Sequence, residues 1–379
     1  MVDITTIPPE LWQEIVTHAC TDGGPTGKSL ALSCKYLHMQ SFSYRFHSLA
    51  LSSLAQVEAF LAFVVPFTPD WKPPVHHLWL AFLNEPSPPP EALKIRYPFL
   101  PRRSSPDMVR HFAADDARYT GAIGKLLQLV APTLRSLYLL QNSWQPLPRL
   151  PQCRLPVLDD LTVMGSVSAL LPLPPPHDAE HEPSRAAPYP ALRRFHTATF
   201  AAESRAEVLA HCGALSASPL THLRVSGVSG ADATTRFARS LARALGVLLE
   251  PAERQGAGAP GASGADTSAW REGAPLARVY SVVVQGGWSY GAESREDWEA
   301  AEGHLLDLSE KMARAGVACA LVLEPRLRDG AAWRRSLREE WRRRIEGGYD
   351  SWDDEAWVHP EVLGTGGFDR RQEQLALCG

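Results

Sequence analysis

A glycine-rich segment near the start of the chain contains residue types that bind phosphate in nucleotide-binding proteins. Gly27, Lys28 and Ser29 stand in the order of the last three residues of the G-x-x-x-x-G-K-S phosphate-binding loop. That loop requires glycine at position 22, where this chain has Asp22, whose carboxylate would lie near the phosphates. It also requires a preceding buried strand, whereas the preceding residues here have the apolar spacing of a helix. We therefore interpret the segment as a turn between two helices.

The histidines offer two spacings that bear on metal binding. His76 and His77 are adjacent in a predicted strand, so their imidazoles point to opposite faces and do not share a metal ion. His177 and His181 have the i, i+4 spacing of a chelating pair on a helix, but they lie in an acidic, proline-flanked segment that is typical of a solvated linker. We predict neither a metal site nor a cofactor.

The sequence gives little indication of catalysis. The chain contains no H-E-x-x-H segment, and the G-x-S-x-G spacing occurs once, at 287–291. Its six cysteines are far apart and form no C-x-x-C pair, which argues against a zinc knuckle and a disulfide framework and predicts reduced thiols. They are Cys20, Cys34, Cys153, Cys212, Cys319 and Cys378. We expect a protein that is not an enzyme; catalysis by residues that meet only in the fold is the least favoured alternative.

Composition and charge narrow the class of protein. The 379 residues are 45% hydrophobic and 21% charged, as in a folded globular protein, and the net charge of −4 does not favour nucleic acid as a partner. We see no secretory signal, and the most apolar stretch, 49–67, is interrupted by polar residues, so we expect a cytoplasmic or nuclear protein. Arginines and glutamates between Trp333 and Glu346 favour an amphipathic capping helix; a patch for RNA or an acidic partner is the alternative.

Short apolar segments recur along most of the chain, many with an L-x-x-L-x-L or L-x-x-L-x-V pattern. This pattern places alternate side chains on one face of a strand. Between these segments, residues 123–130, 203–212 and 234–249 have helical spacing, and the alternation predicts an α/β fold with parallel strands. The predicted strands lie within 75–80, 133–139, 156–163, 190–196, 220–225, 279–284 and 318–323.

These strands resemble degenerate leucine-rich repeats, although their intervals are uneven; a generic α/β domain is the alternative. The repeats would form a solenoid whose strands present an extended binding face. Trp79, Tyr138 and Trp144 are candidate anchors on that face or, alternatively, core residues. Proline-rich or glycine-rich composition predicts irregular loops near 84–106, 171–190 and 251–275.

The first fifty residues have the features of a docking module. Pro8 and Pro9 precede a helical series of apolar residues, as in a helix that starts with proline. The segment Ile7-Pro8-Pro9-Glu10-Leu11, the pair Ile15-Val16 and the segment Leu32-Ser33-Cys34-Lys35-Tyr36 together resemble an F-box. Residues 45–51 look like the exit from such a module into a first repeat strand, as in fungal F-box-like proteins. The link 21–28 is longer than usual, and Tyr36 or Leu37 replaces the usual tryptophan.

The resemblance implies a substrate-recognition subunit of a cullin-RING ubiquitin ligase, in the ubiquitin-conjugation pathway. F-box proteins bind a Skp-family adaptor, and their repeats bind the protein to be ubiquitinated. The implied domains are an F-box-like helical module (1–48), a degenerate leucine-rich-repeat-like domain (49–346) and a C-terminal tail or cap (347–379). Two alternatives stay open: a protein-interaction scaffold with an F-box-like relic, and a small helical cap whose Leu11, Ile15 and Leu32 are plain core residues. The implied adaptor contacts are Ile7, Pro8, Leu11, Ile15, Leu30, Leu32, Cys34 and Tyr36.

Overall fold

The helices and strands of this protein come from a computed structural model. It describes residues 7–67, 71–82, 106–141, 153–164, 189–198, 218–228, 231–247, 276, 278–286, 295–317, 319–324 and 330–346. The strands within them are β1 (Ser48–Leu51), β2 (His77–Ala81), β3 (Ser136–Leu140), β4 (Asp160–Met164), β5 (Arg194–Ala198), β6 (His222–Val228), β7 (Ser281–Gly286) and β8 (Ala320–Glu324). The α-helices are α1 (Pro9–Ala19), α2 (Pro25–Ser33), α3 (Lys35–Ser41), α4 (Leu54–Val64), α5 (Pro106–Val130), α6 (Ala231–Ala244), α7 (Arg295–Arg314) and α8 (Gly330–Ile345). A short 3-10 helix, Val65–Phe67, follows α4.

The strands form one parallel sheet in which each strand pairs with its neighbours in the chain. The order in the described sheet is β1-β2-β3-β4-β5-β6-β7-β8. Helices lie between several successive strands, as parallel pairing requires. The number of residues between equivalent positions of neighbouring strands varies. It is 59 from His77 to Ser136 and 28 from Arg193 to Thr221. The predicted α/β fold with parallel strands is therefore confirmed, and its sequential order is compatible with a solenoid.

One face of the sheet and the helices share an apolar core. Leu78, Leu137 and Leu161 occupy the same register in β2, β3 and β4, and all three are fully buried. Phe60 of α4 and Leu126 of α5 belong to the same cluster of buried residues. Burial of one such side chain contributes about 1.5–3 kcal/mol, so the repeated leucines are a large part of what stabilises the sheet.

The opposite face of the sheet is also buried in its central strands. Trp79 of β2 lies beside Tyr138 of β3 in register, and their rings stack with centroids 5.4 Å apart and an interplanar angle of 21°. Both side chains are buried, as is Met164 of β4. The prediction that Trp79 and Tyr138 are anchors on an open binding face is therefore wrong, and the alternative that they are core residues is correct. Trp144 lies outside the described residues.

The predicted elements and the observed ones agree most closely for the strands. All seven predicted strands are present, with boundaries displaced by a few residues. The helix predicted at 234–249 is observed as α6, and the one predicted at 123–130 is only the last part of α5. Neither α4 nor α7 was predicted as a helix. The helix predicted at 203–212, the tail at 347–379 and nearly all of the predicted loops lie outside the described residues.

The chain divides into two compact units, Met1–Gly330 and Ala331–Gly379. In the second unit, α8 confirms the predicted amphipathic helix: Trp333, Leu337 and Trp341 recur every four residues and share one side. The Arg338 guanidinium lies 4.6 Å from the centroid of the Trp341 ring, and Arg344 pairs with Glu340. In the described part of the chain, no helix combines the length and apolar character needed to cross a membrane.

Candidate functional site

Local hydrogen bonds and backbone geometry favour the start of the first helices at the residues where they begin. Pro9 opens α1, where a missing backbone N–H is tolerated. Glu10 in the first turn has the charge that the helix dipole favours there. The Cys34 sulfur accepts a 3.5 Å hydrogen bond from the Leu37 backbone N–H and so caps α3. These features explain why the helices are short yet distinct.

The turn before α2 is organised by Asp22 and two glycines. The Asp22 carboxylate accepts hydrogen bonds from the backbone N–H groups of Gly24 (3.1 Å) and Thr26 (2.8 Å) and from the Thr26 hydroxyl (2.7 Å). Gly23 and Gly24 have φ values of 84° and 119°, which side chains disfavour. A helix rather than a strand precedes this turn, which confirms the interpretation as a link between helices. The carboxylate occupies the backbone donors that a phosphate would need.

The three helices pack around a small interior of their own, which we call the helical module (residues 7–47). The rings of Trp12 in α1 and Tyr36 in α3 meet edge to face with centroids 6.3 Å apart. The His38 ring nitrogen Nδ1 lies 3.0 Å from the Ala31 carbonyl oxygen of α2. Val16 and Gly27 are buried inside the module. The packing fixes which sides of α1 and α2 face outwards.

Gly27 makes the closest backbone approach in the helical module, and its substitution is a test of that packing. A Cβ atom at Gly27 would lie 2.8 Å from the Arg45 carbonyl oxygen and 2.9 Å from Arg45 Cα. We expect Gly27→Ala to lower the free energy of unfolding by about 1–3 kcal/mol because backbone atoms must move apart. Urea denaturation monitored by circular dichroism measures this change.

A matched glycine provides the control for that experiment. Gly121 lies in α5, and a Cβ atom there would meet nothing within 4 Å. Gly121→Ala is expected to stabilise the protein by about 0.5–1 kcal/mol, because alanine is the better helix former. Equal and small effects of the two substitutions would show that α2 does not pack against Arg45 as described.

Buried hydrogen bonds fix the helical module to the first strand of the sheet. The Ser48 hydroxyl donates to the Cys20 carbonyl oxygen at 2.7 Å and accepts from the Gly23 N–H at 2.9 Å. The Ala50 N–H donates to the Gly23 carbonyl oxygen at 3.1 Å. The turn before α2 thus satisfies part of the open edge of β1, which would otherwise invite pairing with another chain.

An aromatic cluster around Arg45 forms a second connection between the helical module and α4. The Arg45 guanidinium carbon lies 4.6 Å from the Phe42 ring centroid, 4.8 Å from that of Phe46 and 5.5 Å from that of Phe63. Burial lowers the pKa of Arg45. Phe42 and Phe46 also contact Trp71, with centroids 4.9 Å and 5.9 Å away. The module is therefore held as a rigid extension of the sheet edge.

Large apolar side chains remain exposed on this rigid module. Leu11 is 50% exposed, Ile15 49%, Leu32 76% and Met39 74%. Leu11 and Ile15 lie one turn apart on the same side of α1. These four are nearly half of the nine exposed large apolar side chains found in the described residues. Their concentration on three short helices, with Leu11 and Ile15 on one side of α1, makes the module the candidate functional site, because neighbouring exposed apolar side chains are typical of interaction surfaces.

Comparison of the chain with models of protein families, with curated proteins and with solved structures gave no match. The assignment of a function therefore depends on the residues and geometry of the site itself.

The predicted adaptor contacts divide into an exposed and a half-buried group. Leu11, Ile15 and Leu32 are exposed, so the alternative that they are plain core residues is wrong. Sequence reasoning missed Met39, whose apolar side chain three residues after Tyr36 was the available signal. The other exposed contacts are Pro8 and Cys34, and the partly buried ones are Ile7, Leu30 and Tyr36.

The chemistry available at the helical module is that of binding. Burial, and to a lesser degree the charge of Asp22, raise the pKa of the Cys20 thiol to about 11, so this cysteine is protonated at neutral pH and is a poor nucleophile. Cys34 is exposed and not disulfide-bonded. Among the described residues no group of three or more His, Cys, Asp or Glu side chains is arranged to hold a metal ion. His177 and His181 lie outside them.

Proposed function

We propose that this chain is a non-catalytic substrate-recognition subunit of a cullin-RING ubiquitin ligase. In this proposal the helical module is F-box-like and binds a Skp-family adaptor, while the sheet and its helices are a degenerate leucine-rich-repeat domain that binds a target protein. The protein would then act in the cytoplasm or the nucleus. The observation that carries the proposal is the exposure of Leu11, Ile15 and Leu32, the positions at which the F-box resemblance implies adaptor contact.

The physical properties of the module support a docking role. Apolar side chains exposed to water gain free energy when a partner covers them, at about 25 cal/mol per Å² of apolar surface. The hydrogen bonds of Ser48 and the packing of Arg45 hold the three helices in place before any partner arrives. A surface that is already ordered loses less conformational entropy on binding, so more of that gain appears as affinity.

Adaptor capture tests the proposal directly. We expect the full chain, co-expressed with a Skp-family adaptor, to form a stoichiometric complex in affinity capture and size-exclusion chromatography. Leu11→Asp and Ile15→Asp should each weaken this complex at least about 30-fold, because each places a charge in the middle of an apolar interface. The matched control is Leu306→Asp on α7, which changes a side chain of the same exposure (49%) far from the module in sequence and should leave the complex intact.

The contrary results are equally specific. Failure of the folded wild-type chain to bind the adaptor would favour the alternative function, a protein-interaction scaffold with an F-box-like relic. A complex that survives both Leu11→Asp and Ile15→Asp would show that the adaptor uses another surface. Circular dichroism and urea midpoints of every variant establish that the chain is folded, which is expected because both side chains are half exposed.

A further inference from the structure

The residues just before the strands form a continuous row across the end of the sheet at which the strands begin. At this end, the backbone N–H of a residue before one strand donates to the carbonyl oxygen of the equivalent residue before the neighbouring strand. The bonds run from Asp159 to Arg135 (2.8 Å), from Arg193 to Asp159 (3.0 Å), from Thr221 to Arg193 (2.8 Å) and from Tyr280 to Thr221 (3.0 Å). We call these five residues the N-terminal row. Neighbouring members lie about 4.8 Å apart, as adjacent strands do.

The N-terminal row is basic although the chain as a whole is acidic. Arg135 is exposed, and the Arg193 side chain is 68% exposed. Asp159 is paired with two arginines: Arg194 Nη2 is 2.8 Å from Oδ2 and Arg193 Nε is 3.6 Å from Oδ1. The single acidic member of the row is therefore matched by more than one positive charge. Arg135 makes no ion pair with any other described residue.

Two further arginines lie in the turns that lead into this end of the sheet. Arg154 precedes β4 and Arg278 precedes β7, and both are exposed. Neither forms an ion pair within the described part of the chain. This end of the sheet thus presents several guanidinium groups in water, and guanidinium groups bind carboxylates in a two-pronged geometry.

An aromatic ring closes one end of the N-terminal row. Tyr280 is 47% exposed, and its ring meets the buried His222 ring edge to face, with centroids 4.5 Å apart and an angle of 71°. His222 Nδ1 lies 3.0 Å from the Thr221 hydroxyl oxygen. The tyrosine is thereby held in one orientation while part of its surface stays in water. Fixed, partly exposed aromatic rings are typical anchors of protein interfaces.

We infer that the N-terminal row is a binding surface for an extended acidic peptide segment of a partner protein. Four steps of about 4.8 Å give a row of roughly 19 Å, which an extended peptide of about six residues spans at 3.3 Å per residue. Carboxylates of the segment pair with Arg135 and Arg193, and Tyr280 packs on its apolar parts. The central sheet face does not compete for this role, because Trp79 and Tyr138 are buried there. If the partner is the protein to be ubiquitinated, that identification rests on the proposed function. The binding of an acidic peptide does not depend on it.

Fluorescence anisotropy with fluorescein-labelled hexaglutamate and the full chain tests this inference. We expect binding at low ionic strength that weakens with added salt, because the attraction is between exposed charges. The double variant Arg135→Glu/Arg193→Glu should bind at least about ten-fold more weakly. The matched control is Arg239→Glu on α6, another exposed arginine, whose substitution should change the affinity less than about two-fold.

Several results would overturn the inference. They are no binding of hexaglutamate by the folded chain, equal weakening by the row variant and by Arg239→Glu, or tighter binding of a labelled six-nucleotide DNA strand than of the peptide. Adaptor capture is measured in parallel on the same preparations. We expect the row variant to retain the adaptor and Leu11→Asp to retain the peptide, so a failure at one surface is distinguishable from a failure at the other.

Discussion

Replacement of Tyr138 by alanine is expected to lower the free energy of unfolding by about 3–5 kcal/mol. Tyr138 is fully buried in β3 and stacks on Trp79 of β2, so its removal loses both apolar contacts and a ring pair and leaves a cavity. The same residue would be far less sensitive if it were an anchor on an open face, because exposed residues usually change stability by less than about 0.5 kcal/mol. Urea denaturation of the purified variant measures the difference.

Tyr280 is the matched control for this prediction. It is also a tyrosine at the same sheet, but it is about half exposed, and Tyr280→Ala should cost less than about 1 kcal/mol. The two variants therefore separate the closed face of the sheet from the exposed N-terminal row. Similar, small losses for both would mean that the face carrying Tyr138 is open to solvent and available to a partner.

The strands could be predicted because leucine or valine recurs at every second position of their sequences, as in a strand with one buried face. In β3, Leu137 and Leu139 alternate with Ser136 and Tyr138, and the same alternation returns in β4 as Leu161 and Val163. Buried leucines at period two leave few other solutions, and helices between such segments impose parallel pairing. The order of the strands from β1 to β8 is a property of the fold that periodicity alone does not specify.

The second face of the sheet could not be predicted in the same way. Periodicity shows which side chains share a face but does not show what lies over that face. Trp79 and Tyr138 have the same pattern in an open sheet and in a closed one, and only their burial in the fold distinguishes the two. The beginning of α5 escaped prediction because Asp107 and Arg110 interrupt its first apolar residues, whereas the apolar residues around Ile123 and Leu126 follow a helical period.

The candidate site was predictable in its residues but not in its exposure. The apolar spacing of Leu11, Ile15 and Val16 indicates a helix with one apolar side, yet it is equally compatible with a buried and an outward-facing side. The fold separates them: Val16 is fully buried, and Leu11 and Ile15 remain about half exposed. The N-terminal row was beyond sequence reasoning altogether, because Arg135, Arg193 and Tyr280 become neighbours only through the ladder of backbone hydrogen bonds.

Three histidines lie together where the helical module meets the sheet, and the rings of His76 and His77, predicted on opposite faces, have centroids only 6.4 Å apart. The His47 ring centroid is 4.6 Å from that of His76 and 5.3 Å from that of His77, and His77 Nδ1 is 2.8 Å from the Ser136 hydroxyl oxygen. Burial lowers the pKa of His77 to about 3, with smaller contributions from the charges of His47, His76 and Arg135. Burial likewise lowers the pKa of His47 to about 4, assisted by the nearby charges of His76 and Arg135 and by His18.

These depressed pKa values predict that the folded state loses stability on mild acidification. In the unfolded chain a histidine takes up a proton near pH 6.5, whereas in the folded protein His77 and His47 stay neutral until about pH 3 and pH 4. The free energy of unfolding therefore has its full value above about pH 6.5. It falls as the pH decreases from the pKa of histidine in the unfolded chain towards the lower pKa values in the folded protein. We expect a slope of about 1.4 kcal/mol per pH unit from His77 and a smaller one from His47, which solvent screens more.

The double variant His47→Gln/His77→Gln should flatten this dependence between pH 6.5 and 5. Glutamine does not titrate, so the variant loses less stability than wild type as the pH falls, whatever its stability at pH 7. His304→Gln on α7 replaces an exposed histidine and should follow the wild-type curve. Urea midpoints at pH 7, 6 and 5 compare the three proteins, and parallel curves for wild type and the double variant would show that these histidines bind protons equally in the folded and unfolded states. A flattened curve would instead place the acid sensitivity of the protein at the contact between the helical module and the sheet.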